Sequence, residues 1–214
     1  MTEQRVERGY RLACVLVILF FVLFGLAKVV FLPDNVLVRF TNDDTCYYLG
    51  IARNLVAGNG FTFDGLHQTN GFHPLWLGLS ALPFLFGAGT FSAWRILIAL
   101  TVLVWGVGLF FAWRVVRRRF GDLGALFALV IFAWPPFVNN CTSGMEVTLT
   151  FALVFVALDL ADRKGVWKLE GSRRAELGLG ALLALVFFSR LDSSFLLVAA
   201  FVYLLAADRR GGPG

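Results

Sequence analysis

The stretch Leu12–Leu32, "LACVLVILFFVLFGLAKVVFL", is apolar throughout except for Lys28 near its end. Its 21 residues make about 31 Å of helix, the thickness of a bilayer's hydrocarbon core. Lipid offers backbone amides no partner, so a run of this kind must pair them internally as a helix. Further runs follow at Ala93–Trp113, Phe120–Val138 and Met145–Ala161, with shorter ones at Leu177–Ser189 and Ser193–Ala207. None shows the alternation of a barrel strand. The first run is too long for a signal peptide and has no small-residue cleavage site. The expected fold class is an all-α polytopic membrane protein of about six transmembrane helices, one transmembrane domain over residues 1–214. Composition agrees: 58% of residues are hydrophobic and 15% charged, against about one quarter charged in soluble domains.

The net charge of +5 points to the membrane rather than to nucleic acid, because the cations are placed by side. With the N-terminus in the cytoplasm, fourteen of the nineteen Lys and Arg residues fall on the inner side: Arg5, Arg8 and Arg11; Arg114 and Arg117–Arg119; Arg163, Lys164, Lys168, Arg173 and Arg174; Arg209 and Arg210. Lys28, Arg39, Arg53, Arg95 and Arg190 remain outside or at the outer edge. The positive-inside rule then favours six spans with both ends inside. Leu75–Phe86, 12 residues with Pro83 inside, is too short to cross and reads as a helix in the outer interface. The inner connections read as basic and otherwise plain, and the spans as lacking paired buried charges.

This topology gathers the unusual polar residues on the extracytoplasmic side. They lie in a loop over residues 33–92 with juxtamembrane helices, in "NNCTSGMEVT" (Asn139–Thr148) and in "SRLDSS" (Ser189–Ser194). Within the loop, "DDTCYYLGIARNLVAG" reads as a short amphipathic helix with Asp44, Tyr48, Ile51 and Leu55 on one face. Asn42 or Asp43 suits its start and Gly58 its end. Arg53 lies roughly opposite Asp44 and suits either the helix dipole or a phosphate. Asn59-Gly60, Asp64-Gly65 and Asn70-Gly71 are turn formers, and Phe61 and Phe63 suit a tiny hairpin or the membrane interface. Three cysteines cannot make a disulfide framework; Cys14 falls in a span, and a Cys46–Cys141 bridge is open.

"DDTCYYLGIARN", "GNGFTFDG", "TNGFHPLW", "SGMEVTL" and "SRLDSSFLL" together resemble the GT-C membrane glycosyltransferases, in the branch related to aminoarabinose and protein O-mannosyl transferases. Such enzymes move a sugar from a polyprenyl-phosphate carrier to a glycan, lipid or protein acceptor at the outer membrane face. The resemblance implies a hexosyl- or pentosyltransferase in the cell membrane with its active side extracytoplasmic. It sets Asp44 at the family's juxtamembrane acid and Tyr48 at its tyrosine, with the doubled acid preceding as Asp43. Glu146 takes the place of a second acid at the start of a later helix.

Glycosyl transfer needs a base for the acceptor hydroxyl and a stabiliser for the departing phosphate. Asp44 and Asp43 are the candidate catalytic residues. Tyr48, Arg53, Asn70, His73 and Arg190 are the candidate substrate-binding residues. Asp43, Asp44, His73 and Glu146 are candidate ligands for a divalent metal, Mg, Mn or Zn. Glu146 also suits a helix N-cap, and Arg190 with Asp192 a plain ion pair. Family members continue beyond this length, so the chain reads as an N-terminal half: a fragment, a split subunit with a second chain as the partner supplying the rest, or an inactive remnant. The alternative function is a non-catalytic truncated relative binding lipid-linked glycan or a partner subunit.

Single cysteines at Thr69 and Gly171, in a background without the native three, should label from opposite sides of the membrane with an impermeant maleimide. Labelling of both from one side would contradict the six-span topology.

Overall fold

The structure, a computed structural model, describes residues 3–211. The side chains of Arg209 and Arg210, counted above on the basic side, lie outside those described. Nine α-helices and three short 3-10 helices make up most of the described residues, with no strand among them. The α-helices are α1 (Glu3–Phe31), α2 (Asp34–Leu37), α3 (Asp43–Val56), α4 (Pro74–Leu85), α5 (Thr90–Phe132), α6 (Pro135–Cys141), α7 (Val147–Arg163), α8 (Arg173–Ser189) and α9 (Ser194–Gly211). The longest connection, residues 57–73, joins α3 to α4. By length and composition, Gln4–Phe31 and Thr90–Phe132 can cross a membrane.

The long helix α5 is two helices in one. Gly121 has φ 73° and ψ −178°, a conformation essentially closed to a residue with a Cβ. Leu109 and Leu129 nevertheless share one buried cluster with Trp105, Cys14 and Cys141. Twenty residues of straight helix would separate them by about 30 Å, so residues 122–132 fold back along residues 90–120. The expected span Phe120–Val138 is interrupted at Ala133 and Trp134. Pro135 and Pro136 account for the break, since each lacks a backbone N–H and Pro135 restricts the residue before it.

Helix α1 packs on α5 at small residues. A methyl on Gly25 would meet Val102 at 2.8 Å, and one on Gly106 would meet Val22 at 2.5 Å, the close approach typical of membrane helix pairs. At the end of α1, Arg95 donates to Leu32 O at 2.7 Å and to Val29 O, and pairs with Asp34 at 2.7 Å. One guanidinium thus satisfies carbonyls at the helix terminus and fixes where the polar loop begins.

Helix α4, the expected interfacial helix, packs one face on protein and leaves Leu82 and Leu85 exposed. Its Trp76, Leu77, Ser80, Ala81 and Pro83 are buried. Trp76, Leu77 and Ala81 share a core with Tyr48, Leu49, Ile51 and Ala52 of α3 and with Ala93 and Leu97 of α5. The loop 41–76 is therefore anchored by apolar contacts along two helices. The expected hairpin near Phe61 and Phe63 reduces to a single antiparallel bridge, Thr62 to Gln68. Phe61 stacks on Phe72 and Phe63 on Tyr47, which seats both rings on protein. The Asn54 amide donates to Thr62 O at 3.0 Å and to Phe63 O at 2.9 Å, tying the turns to α3. All three cysteines are free: Cys141 is buried while Cys46 is exposed, so the open disulfide does not form.

The basic end of the bundle is not plain, and buried paired charges do occur. Asp159 has a fully buried side chain and contacts Arg118 at 2.7 Å, Arg163 at 2.8 Å and Arg114 at 3.3 Å. Asp162 adds Arg119 at 2.7 Å and Arg118 at 3.5 Å. Asp122 contacts Arg117 at 2.7 Å and Arg11 at 2.8 Å. Asp122 Oδ1 and Asp159 Oδ2 lack a hydrogen-bonded partner, so Arg117 and Arg163 hold them by charge and not by aligned hydrogen bonds. These contacts fasten α1, both halves of α5, and α7 where basic side chains would otherwise repel. Asp159→Asn should destabilise the protein by about 2–4 kcal/mol, near the cost of breaking a buried pair less the screening of half-exposed arginines. The check is thermal unfolding in detergent; an unchanged midpoint would contradict this role.

Candidate functional site

The three polar segments meet at the end of the bundle opposite the arginine network. Two staples join the loop to the α6–α7 connection. Thr45 Oγ1 donates to Ser143 O at 2.7 Å, and the Trp76 indole donates to Gly144 O at 3.2 Å. Gly144 sits at φ +90°, and a Cβ there would lie 2.6 Å from Thr45. A side chain would both strain this turn and push the segments apart. The third segment joins through His73, whose Nδ1 accepts from the Leu191 amide at 3.2 Å. His73 N–H in turn donates to the Tyr48 hydroxyl at 3.1 Å.

Glu146 lies at the middle of this junction. It occupies the N-cap position of α7 but makes no side-chain capping bond, so capping does not explain it. Its side chain is 4% exposed. Oε1 lies 3.6 Å from His73 Nε2 and 3.8 Å from Arg190 Nη1, ionic contacts longer than hydrogen bonds. Oε2 is buried with no partner. A buried carboxylate oxygen without a donor is costly, and its lone pairs remain available to a hydroxyl. Arg190 Nε also pairs with Asp192 at 3.0 Å, the expected local ion pair, and this contact holds the Asp192 carboxyl below its ordinary range.

Tyr48 reports how the acids are arranged. Burial raises its phenol pKa most, and the carboxylates of Glu146 and Asp44 raise it further, while the His73 amide and Arg190 oppose them. The phenol therefore stays protonated between two acids from different segments. Asp44 and Asp43 are exposed in the first turn of α3, and Asp43 Oδ1 accepts from the Asp44 amide at 3.1 Å. Asp44 is thus accessible and close enough to act on Tyr48 through its charge.

Of the expected site residues, the structure brings together Tyr48, His73, Glu146 and Arg190, with Asp44 beside them. Arg53 and Asn70 are exposed and take no part in these contacts. The four expected metal ligands do not form one set. Asp43 and Asp44 lie exposed at the start of α3, and Glu146 faces His73 and a cation already present, Arg190. Among the described residues no three His, Cys, Asp or Glu side chains are grouped as a metal site requires. The residues as placed do not fit a metal, and the chemistry below runs through none. Sequence reasoning missed Thr45 and Trp76 as staples; the "SG" before Met145 was their only local signal.

A family model described as dolichyl-phosphate-mannose-protein mannosyltransferase matches residues 76–211, more than half of the chain. The chain belongs to this family. It is a GT-C glycosyltransferase-like membrane protein, and Glu146 and Arg190 lie in the matched range while Asp43, Asp44, Tyr48 and His73 precede it. No curated protein and no solved structure matches the chain.

Proposed function

We propose that the protein transfers a sugar from a polyprenyl-phosphate carrier to an acceptor hydroxyl at the extracytoplasmic membrane face, with the six-span topology placing the loop there. The observation that carries this reading is the junction at Glu146. It is a buried, half-satisfied carboxylate beside a histidine and an arginine, next to an exposed acid, at one end of an apolar bundle.

Each group has a chemical task. Asp44, exposed in the first turn of α3, takes the proton of the acceptor hydroxyl as it attacks the sugar's anomeric carbon. The bond from that carbon to the phosphate oxygen breaks, and the charge collects on the departing polyprenyl phosphate. Arg190 offers its remaining N–H groups to that phosphate. Glu146 holds Arg190 and His73 in place, and its unpartnered Oε2 accepts from a hydroxyl of the donor sugar. Tyr48 fixes the His73 backbone and so orients the ring. Asp43 holds the first turn of α3 in register and supports the negative field at Asp44.

Asp44→Asn keeps the shape of the helix start and removes the base. It should lower transfer from a polyprenyl-phosphate sugar by about 10²- to 10⁴-fold, with folding and carrier binding retained, and Asp43→Asn should lose less. Normal turnover in Asp44→Asn would contradict the assignment. Carrier binding without turnover in the wild-type protein would favour a non-catalytic relative that holds lipid-linked glycan.

A further inference from the structure

A second site lies at the basic end of the bundle, away from Glu146. A cavity of about 490 Å³ opens between α7, α8 and α9, within the size range of ligand pockets. Its walls are apolar, with Leu158 from α7, Leu183 from α8, and Leu196 and Ala200 from α9. Its polar lining is Arg119, Asp162, Trp167, Lys168 and Tyr203, and the exposed Lys168 sets the side that meets solvent, the mouth. Trp167 stands edge-on to Tyr203, with ring centroids 5.5 Å apart.

Two features at the mouth call for an anion. Trp167 Nε1 is buried and has no acceptor, although a buried indole N–H normally finds one. Asp162, the acid lining the cavity, is already contacted by Arg118 and Arg119, and Lys168 has no ion pair among the described residues. An anionic group at the mouth would meet a lysine, an arginine and an indole donor, while its apolar part filled the space between the helices. Trp and Tyr at the junction of apolar and charged surface match the level of lipid headgroups.

We infer that this cavity binds an anionic glycerophospholipid, its phosphate held by Lys168, Arg119 and the Trp167 indole N–H and one acyl chain lodged between α7, α8 and α9. The site is separate from the transfer chemistry. It stabilises α9, which rests on its neighbours mainly through the turns at its ends and would otherwise leave an unfilled space beside α8. Phosphate and acyl chain must act together, so glycerol phosphate alone should not compete.

The test is native mass spectrometry of the detergent-purified protein with added phosphatidylglycerol or phosphatidylcholine of matched acyl chains. One phosphatidylglycerol should remain bound per protein, with phosphatidylcholine held far more weakly. Lys168→Glu, at an exposed position that should not disturb folding, should weaken phosphatidylglycerol binding by about tenfold. Ala200→Trp, which fills the cavity, should abolish it. Equal binding of the two lipids would overturn the inference, as would unchanged binding in both variants. A change in oligomeric state in Ala200→Trp with lipid binding intact would also overturn it, by showing that a second copy of the chain fills the cavity.

Discussion

A carboxylate taken out of water must find charge or donors nearby, and Glu146 finds them on segments far apart in the chain. His73 comes from the first loop and Arg190 from the turn between α8 and α9. Neither contact forms unless α4, α7 and α8 are packed, since α4 begins just after His73, α7 just after Glu146, and α8 ends just before Arg190. The apolar packing of Trp76, Leu77 and Ala81 therefore precedes the polar site in a physical sense. Thr45 and Trp76 then close the remaining distance to Ser143 and Gly144. The cost of burying Glu146 is only partly offset, since Oε2 is left without a partner.

The other end of the bundle solves the opposite problem. There the cations are in excess, and Asp122, Asp159 and Asp162 are placed among them. Asp159 alone faces Arg114, Arg118 and Arg163. The two ends thus differ: one holds three carboxylates among arginines, while the other keeps an exposed acid, a half-exposed arginine and an unpartnered carboxylate oxygen.

Much of this was legible in the sequence because it depends on local rules. The apolar runs gave helices close to those observed, and the turn residues at Gly58, Gly60 and Gly65 end or reverse the chain where expected. The family resemblance rested on five segments; "SGMEVTL" and "SRLDSSFLL" lie inside the range that the family model matches, while the double acid and nearly all of "TNGFHPLW", its most specific parts, precede it. What escaped is tertiary. "WPP" at Trp134–Pro136 breaks a span whose hydropathy alone reads as continuous. Asp159 looks like an ordinary residue near a helix end until three arginines are seen around it. The expected metal set failed to assemble because Asp43 and Asp44 point to solvent while Arg190 occupies the charge position next to Glu146. Arg53 was placed by its helical spacing, which says nothing about whether a partner lies across from it.

The convergence of the three polar segments into one site is the claim on which the function rests. It is tested most directly by oxidative cross-linking in native membranes of a protein lacking Cys14, Cys46 and Cys141 and carrying His73→Cys with Leu191→Cys. These positions are 118 residues apart in sequence, and the Leu191 amide lies 3.2 Å from the His73 ring. A rapid intramolecular disulfide is expected, with none in a control pairing His73→Cys with Gly171→Cys at the basic end. Failure of the first pair to cross-link, or equal cross-linking of both, would contradict the account.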